Sequence, residues 1–341
     1  MEMNAYQAFY DSVVWRDIPS RGKLELEGAD RVTFLHALIT QDVTGLNEGH
    51  GRQGMLLTAT GKIIADFNYY RFPESILIDV ARIRTAALRD LISHYIIMDD
   101  VTVEDLSSDR FHFSIEGPAA PELLGQVLES DLPEAPWQVS VVRWREAELL
   151  VVRRNELSEA GFEVIGPASA GRLFNRTLLK TGERFGLVEL DGESWEALRL
   201  ERGIPVYGQD MDEKNNPVQV GNLWAYSLTK GCYPGQEVVA KATNLGGVSR
   251  RLVRLALEGD SVPSRRDRIC KSGQEVGWIT SAAWSPKLES VAGLGYVQRT
   301  FTEPGTQVEV VRNEGAPLEA RIDGFPAPDL WNPGSRLDSG D

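Results

Sequence analysis

Met55-Leu56-Leu57-Thr58-Ala59-Thr60-Gly61-Lys62-Ile63-Ile64-Ala65-Asp66-Phe67-Asn68-Tyr69-Tyr70 is the stretch whose reading decides the fold. Two apolar runs flank a turn at Thr60-Gly61, which is the pattern of a strand pair. Downstream, Ser75 to Val80 reads as a further strand. Arg82 to Met98 reads as a helix carrying Ile83, Ala86, Ala87, Leu91 and Tyr95, and Val101 to Leu106 as a closing strand. Upstream, Asp30 can cap a helix through Ile39, with Val32, Leu35, Leu38 and Ile39 on one face. A β-β-β-α-β order makes an α+β layer.

The same texture returns further on. Arg110 to Ile115 alternates as a strand and ends at Gly117-Pro118, and a helix reaches about Leu128. Asp131 to Pro136 is an acidic, proline-rich loop. Val139 to Trp144 and Leu149 to Arg153 form a strand pair, Phe162 to Ile165 is a strand, and helices follow at about Ala168 to Lys180 and Ser194 to Arg202. From Val248 short β-like runs recur without a long helix, at Arg251–Leu257, Glu275–Ser281, Ser290–Val297 and Thr306–Val311. That reads as a small antiparallel barrel or sandwich. The tail after Gly324 reads as loose.

A length of 341 residues allows two or three domains. Apolar content of 42% and charged content of 25% are those of a soluble globular chain. No apolar run approaches a membrane span, so no membrane contact is expected. Met1 to Trp15 carries Glu2 and Asp11 without a basic start, which does not read as a signal peptide. Two cysteines exclude a disulfide framework and point to a reducing compartment, the cytoplasm. The net charge of −14 argues against direct nucleic-acid binding. The four histidines are scattered and no metal site is expected. Phosphate-loop, dinucleotide and nucleophile-elbow patterns are missing. Two cysteines also fall short of the four thiolates that usually hold an iron–sulfur cluster, so contact with a cluster would be shared with another chain or use other ligands.

Two stretches carry candidate chemistry. In Lys230-Gly231-Cys232-Tyr233-Pro234-Gly235-Gln236-Glu237 the glycines and the Pro-Gly turn would present a thiol beside a cation, ahead of a short helix from Glu237 to Ala242. The alternative is a small buried hydrophobe at a turn. In Leu198-Arg199-Leu200-Glu201-Arg202-Gly203, Gly203 and Pro205 end a helix, so Glu201 sits at a terminus. A carboxylate there suits a ligand edge with two parallel donors, such as a pterin's, or else it is solvated beside Arg199 or Arg202. Asp66 lies mid-strand, on a wet face or in a site. Trp224 and Tyr226 alternate and could wall a ring-binding slot or belong to the core. Lys230, Lys241, Arg250 and Arg251 could hold an anionic tail or be surface charge.

These residues resemble a known superfamily. Leu198 to Gly203 with Tyr207-Gly208-Gln209-Asp210-Met211-Asp212-Glu213 is similar to the folate-binding segment of the glycine-cleavage T-protein, the aminomethyltransferase. Phe34-Leu35, Gln41-Asp42-Val43, Gly61 to Asp66, Glu116-Gly117-Pro118, Gly161-Phe162-Glu163, Thr280-Ser281 and Ser285-Pro286 match in the same order. The motif from Lys230 to Glu237 resembles the signature of the YgfZ folate-binding branch.

The resemblance implies an α+β fold of three domains in a cloverleaf around a folate cavity. Residues 1–50 with 110–240 would form the folate-binding domain, 51–109 a ferredoxin-like insert, 248–325 an antiparallel β-barrel, and 326–341 the tail. It implies tetrahydrofolate or a derivative as cofactor, Glu201 as the pterin-recognising carboxylate, and Lys230, Arg250 or Arg251 near the anionic tail. The implied role is an accessory protein in iron–sulfur cluster assembly or repair, acting through iron–sulfur proteins that include tRNA-modifying enzymes, with Cys232 as the reactive or cluster-facing thiol. The other reading is a folate-dependent aminomethyltransferase, or another one-carbon transferase, with Asp66 as catalytic acid. The transferase pattern has two adjacent acids where this chain has Ala65-Asp66, so one acid of the pair is missing.

Overall fold

Helix α1 (Ala5–Asp11) starts under an Asn4 cap and leads into β1 (Val13–Asp17) and β2 (Arg21–Glu27). There follow α2 (Arg31–Leu38), β3 (His50–Leu57), β4 (Ile63–Arg71), β5 (Ser75–Ala81), α3 (Thr85–Tyr95) and β6 (Thr102–Asp105). This computed structural model describes residues 4–154, 156–244, 247–312 and 315–326. Strands β2 to β6 form an antiparallel sheet in the order β3-β4-β5-β2-β6. Helices α2 and α3 cover one face, where Leu35, Leu38, Leu88 and Ile92 pack against Leu24, Leu26, Ile76 and Ile78. Each such buried aliphatic side chain contributes about 1.5–3 kcal/mol.

This is the ferredoxin-like layer expected from the sequence, with one difference. The sheet reaches back past residue 51, because β2 pairs with both β5 and β6 and so forms its middle. Asp30 does stand at the start of α2, yet its carboxylate makes no cap. It accepts from the Asp100 N–H at 2.9 Å and ties the helix to the loop before β6.

The second layer comprises β7 (Arg110–Glu116), α4 (Ala120–Leu128), β8 (Val139–Trp144), β9 (Ala147–Arg153), β10 (Phe162–Pro167), α5 (Ala168–Gly182) and β11 (Leu187–Glu189). Its sheet runs β11-β1-β7-β10-β9-β8. The two layers repeat one plan, strand–helix–three strands–helix–strand, with matching strand orders. The one topological change is β1, which enters between β7 and β11. The layers join edge to edge where Gly51 donates to Trp137 and Val139 donates to Gly49, at 2.8 and 2.7 Å.

Helix α6 (Gly192–Arg202) is capped by Asp191 and stopped by Gly203 at φ 70°, where the left-handed backbone favours glycine. After α7 (Pro217–Val220) and α8 (Gln236–Asn244) comes a closed barrel. It is formed by β12 (Arg250–Leu257), β13 (Arg268–Lys271), β14 (Gln274–Ser285), β15 (Ser290–Gln298), β16 (Gln307–Val311) and β17 (Leu318–Gly324). The barrel is the alternative to a sandwich realised here. Strands β13 and β17, short or polar in the sequence, close it. Beyond Pro326 the expected loose tail lies outside the described residues.

Candidate functional site

A cavity of about 360 Å³ lies between the two sheets and is roofed by α6 and the segment after it. Strand β4 shows how the sequence builds its wall. Ala65, Phe67 and Tyr69 point into the core under α2, so by the two-residue period Asp66 and Asn68 point into the cavity. Asp66 is 8% exposed. Burial raises its pKa against the opposing pull of Arg21, which favours a carboxyl that holds a proton. A relay orients it: the Trp224 indole donates to Gln53 Oε1 at 2.5 Å, and Gln53 Nε2 donates to Asp66 Oδ2 at 3.3 Å.

On the opposite wall β10 presents Glu163. Its carboxylate meets His112 Nε2 at 3.4 Å and Arg154 Nε at 3.7 Å, and accepts from the Tyr70 hydroxyl at 3.4 Å. Burial opposes its charge, but the Arg154 and His112 neighbours bring its pKa down to about 2. Glu116, on β7, behaves in the reverse way. It is buried beside Glu156 with only hydroxyl partners, Ser158 at 2.6 Å and Ser114 at 3.2 Å, and its pKa is pushed up to about 8. Of the four acids in the cavity wall, Glu163 is a fixed anion, Glu156 pairs with Arg154 at 2.7 Å, and Asp66 and Glu116 are inclined to carry protons. Arg16 also faces it, with its guanidinium 4.3 Å over the Trp195 ring.

Of the residues singled out from sequence, Asp66 lines the cavity and Trp224 reaches it through Gln53. Glu201 does not line it. Its carboxylate accepts from Tyr6 (2.5 Å), Tyr10 (2.7 Å) and Ser285 (2.7 Å), joining α1, α6 and the barrel. Oε1 accepts two of these bonds and Oε2 one, so the Glu201 carboxylate is held within the protein at this junction. Neither Arg199 nor Arg202 partners it. Arg199 is buried against Asp210 at 2.9 Å and also pairs with Glu196. Tyr226 is core, packed with Met55, Leu57 and Tyr233.

The cations named for an anionic tail each have a partner within the protein. The Lys230 ammonium donates to the carbonyls of His36 and Ile39, the latter at 2.6 Å, and burial lowers its pKa to about 8. Arg250 lies 5.2 Å over Trp278, and Arg251 4.8 Å over Phe325. Lys241 pairs with Glu237 at the anticipated helical spacing, at 2.8 Å. Cys232 is exposed and outside the cavity wall, while Cys270 is buried. Its loop locks onto the β3–β4 hairpin. Gly235 (φ 80°) and Gly61 (φ 71°) meet so closely that a Cβ on Gly235 would come 2.8 Å from Gly61 Cα. Sequence reading missed Glu163, Glu116, His112 and Arg16. Their one available signal was the position of Glu116 and Glu163 within segments already matched as motifs.

Two family models cover the chain. The GCVT N-terminal domain matches residues 4–230, and the glycine cleavage T-protein C-terminal barrel domain matches residues 250–328. The chain belongs to the glycine cleavage T-protein family. Among relatives, the aminomethyltransferase of Thermotoga petrophila is 31% identical over 320 residues, 91% of this chain and 85% of that protein. The aminomethyltransferase of Oceanobacillus iheyensis is 26% identical over 305 residues, 86% of this chain and 81% of that protein. A putative chloroplastic transferase of Arabidopsis thaliana is 27% identical, covering 90% and 70%. The glycine cleavage system aminomethyltransferase T from Bartonella henselae superposes with a TM-score of 0.85 at 20% identity, over 94% of this chain and 88% of that one. The three-domain α+β T-protein fold, with its ferredoxin-like layer and C-terminal antiparallel barrel, is thereby that of this chain. Among the described residues no helix is long and apolar enough to cross a membrane.

Proposed function

We propose that this chain binds a reduced folate between its two sheets and carries out one-carbon transfer of the aminomethyltransferase type, with Asp66 as the acid that handles the proton. The observation that carries this reading is the alternation along β4. Residue 65 faces the apolar core and residue 66 the cavity, so alanine at 65 removes no acid from the site. The doubt raised by the missing second carboxylate loses its force. Bound tetrahydrofolate supplies a nitrogen that accepts the one-carbon unit. Asp66 holds or takes the proton of the reacting amine, within a wall that excludes water. Glu163 stays ionised and suits the paired N–H donors of a pterin edge, the role expected earlier of Glu201.

Titration of the purified protein with tetrahydrofolate tests this directly. Glu163→Gln is expected to weaken binding about tenfold or more, the scale of one charge-assisted hydrogen bond, while Glu201→Ala leaves it within about twofold. Equal affinities of wild type and Glu163→Gln would remove the pterin site from this cavity.

A second reading rests on Cys232. Its thiol is exposed, sits in the motif resembling the YgfZ branch, and lies outside the cavity wall, where it is open to a protein partner. On that reading the chain binds folate and supports iron–sulfur cluster assembly or repair, and through it tRNA-modifying iron–sulfur enzymes. In a strain whose only copy carries Cys232→Ala, iron–sulfur enzyme activity should fall while folate affinity in vitro stays unchanged. Full activity in that strain would end this reading and leave the first intact.

A further inference from the structure

A second cavity, about 460 Å³, opens on the other side of β2 and β7. It shares Ile18, Arg21, Arg82 and His112 with the central cavity but is otherwise built from different residues. Its charge is what sets it apart. Arg21, Lys23, Arg82, Arg110 and Arg172 all stand in its wall, against one carboxylate, Asp17. On a chain of net charge −14 this is a local inversion.

The cations are not all spent on the protein. Arg21 and Lys23 share Asp79, each at 2.8 Å, and Glu163 acts on both, so these two are spent on the protein. Arg82 donates to the Ser107 carbonyl at 2.8 Å, a neutral partner. Arg110 and Arg172 make no hydrogen bond or ion pair among the described residues. Helix α5 begins at this cavity, with Ala168 and Gly171 in the wall, no side-chain cap and no acid in its first turn. Its N-terminal dipole adds to the same sign of potential.

Arginines that converge on a concave space with a single acid, Asp17, in its wall suit multiply charged oxyanions, since each guanidinium can make two parallel hydrogen bonds. We propose that this second cavity is a binding site for a small dianion carrying phosphate or carboxylate groups, and that it can be filled while the central cavity is occupied. The inference does not depend on the folate reading.

The test is a calorimetric titration of the full-length protein without folate, using inorganic phosphate in one arm and malonate in the other. Ionic strength is held constant with chloride. Saturable one-site binding is expected in at least one arm, and which arm is tighter identifies the oxyanion. Arg110→Ala/Arg172→Ala should weaken it about tenfold or more, with thermal unfolding of the free protein and tetrahydrofolate affinity unchanged. Lack of saturable binding in both arms, or equal binding by the double variant, overturns the proposal. A repeat at saturating tetrahydrofolate separates a second site from a subsite. Undiminished anion binding supports a second site. Strict competition overturns it and makes the cavity the seat of the folate's own carboxylates.

Discussion

The ammonium of Lys23 stands 3.1 Å from Nδ1 of His112. Lysine has only donors to offer, so Nδ1 is the acceptor and the imidazole proton rests on Nε2, facing Glu163. Burial and the Lys23 charge both lower the His112 pKa, which keeps the ring neutral. Lys23 thus donates to Asp79 on one side and to His112 on the other, and turns His112 Nε2 towards Glu163 at 3.4 Å.

Lys23→Met should break it. Asp79 keeps Arg21 but loses a buried partner, and a loss of about 3–5 kcal/mol is expected in denaturant unfolding. Nitrogen shifts of the His112 ring should at the same time move towards a tautomer mixture. An unchanged tautomer would show that something other than Lys23 sets it.

Asp66→Asn should lower formation of methylene-tetrahydrofolate from an aminomethyl donor by about 100-fold or more. Folate affinity should stay within about threefold, since Asn preserves the bond from Gln53 only in part but leaves Glu163 in place. Retained turnover would exclude Asp66 as the proton-handling group.

Glu116 sets a pH dependence of stability. Its folded pKa, about 8, lies above that of an unfolded glutamate, so the folded state binds the extra proton. Its contribution is complete below about pH 4.5 and declines as pH rises through 8. Glu116→Gln stays neutral throughout and should be more stable than wild type at pH 8.5, by on the order of 5 kcal/mol at most, with little difference at pH 4.5. Parallel melting-temperature profiles for the two proteins would contradict the assignment.

Glu201 supplies the junction of three elements. Glu201→Ala strands the hydroxyls of Tyr6, Tyr10 and Ser285, and a cost of about 2–4 kcal/mol is expected by chemical denaturation. Tyr10→Phe, which removes one donor, should cost less. A destabilisation under about 0.5 kcal/mol for Glu201→Ala would mean that the junction is not held by these bonds.

The layers were legible where period and turn chemistry agree. Ala65 to Tyr69 alternates apolar and polar behind Gly61, and the barrel strands are spaced by Gly and Pro turns. Strand β2 was not, because Lys23 and Glu25 give it a polar outline that only the buried Lys23–Asp79 pair explains. The duplicated plan of the two layers leaves no repeat in the residues, since each copy needs only its apolar period. At the site, Asp66 was readable as an acid in a strand. Glu201 was readable as an acid at a helix end, but its hydroxyl partners on α1 and the barrel lie far off in the chain and leave no local signal. Glu163 and His112 acquire their character from partners that only the folded sheets bring against them, Arg154 on one side and Lys23 on the other.

The contact between Gly61 and Gly235 places the chain's one exposed thiol on the far end of the hairpin that carries Asp66. Cys270 is buried, so a dye offered to the folded protein meets a single site. A fluorophore on Cys232 sits where any tilt of that hairpin is felt, yet clear of the cavity itself. The molecule comes fitted with an optical readout of its own interior, one that requires no engineered cysteine.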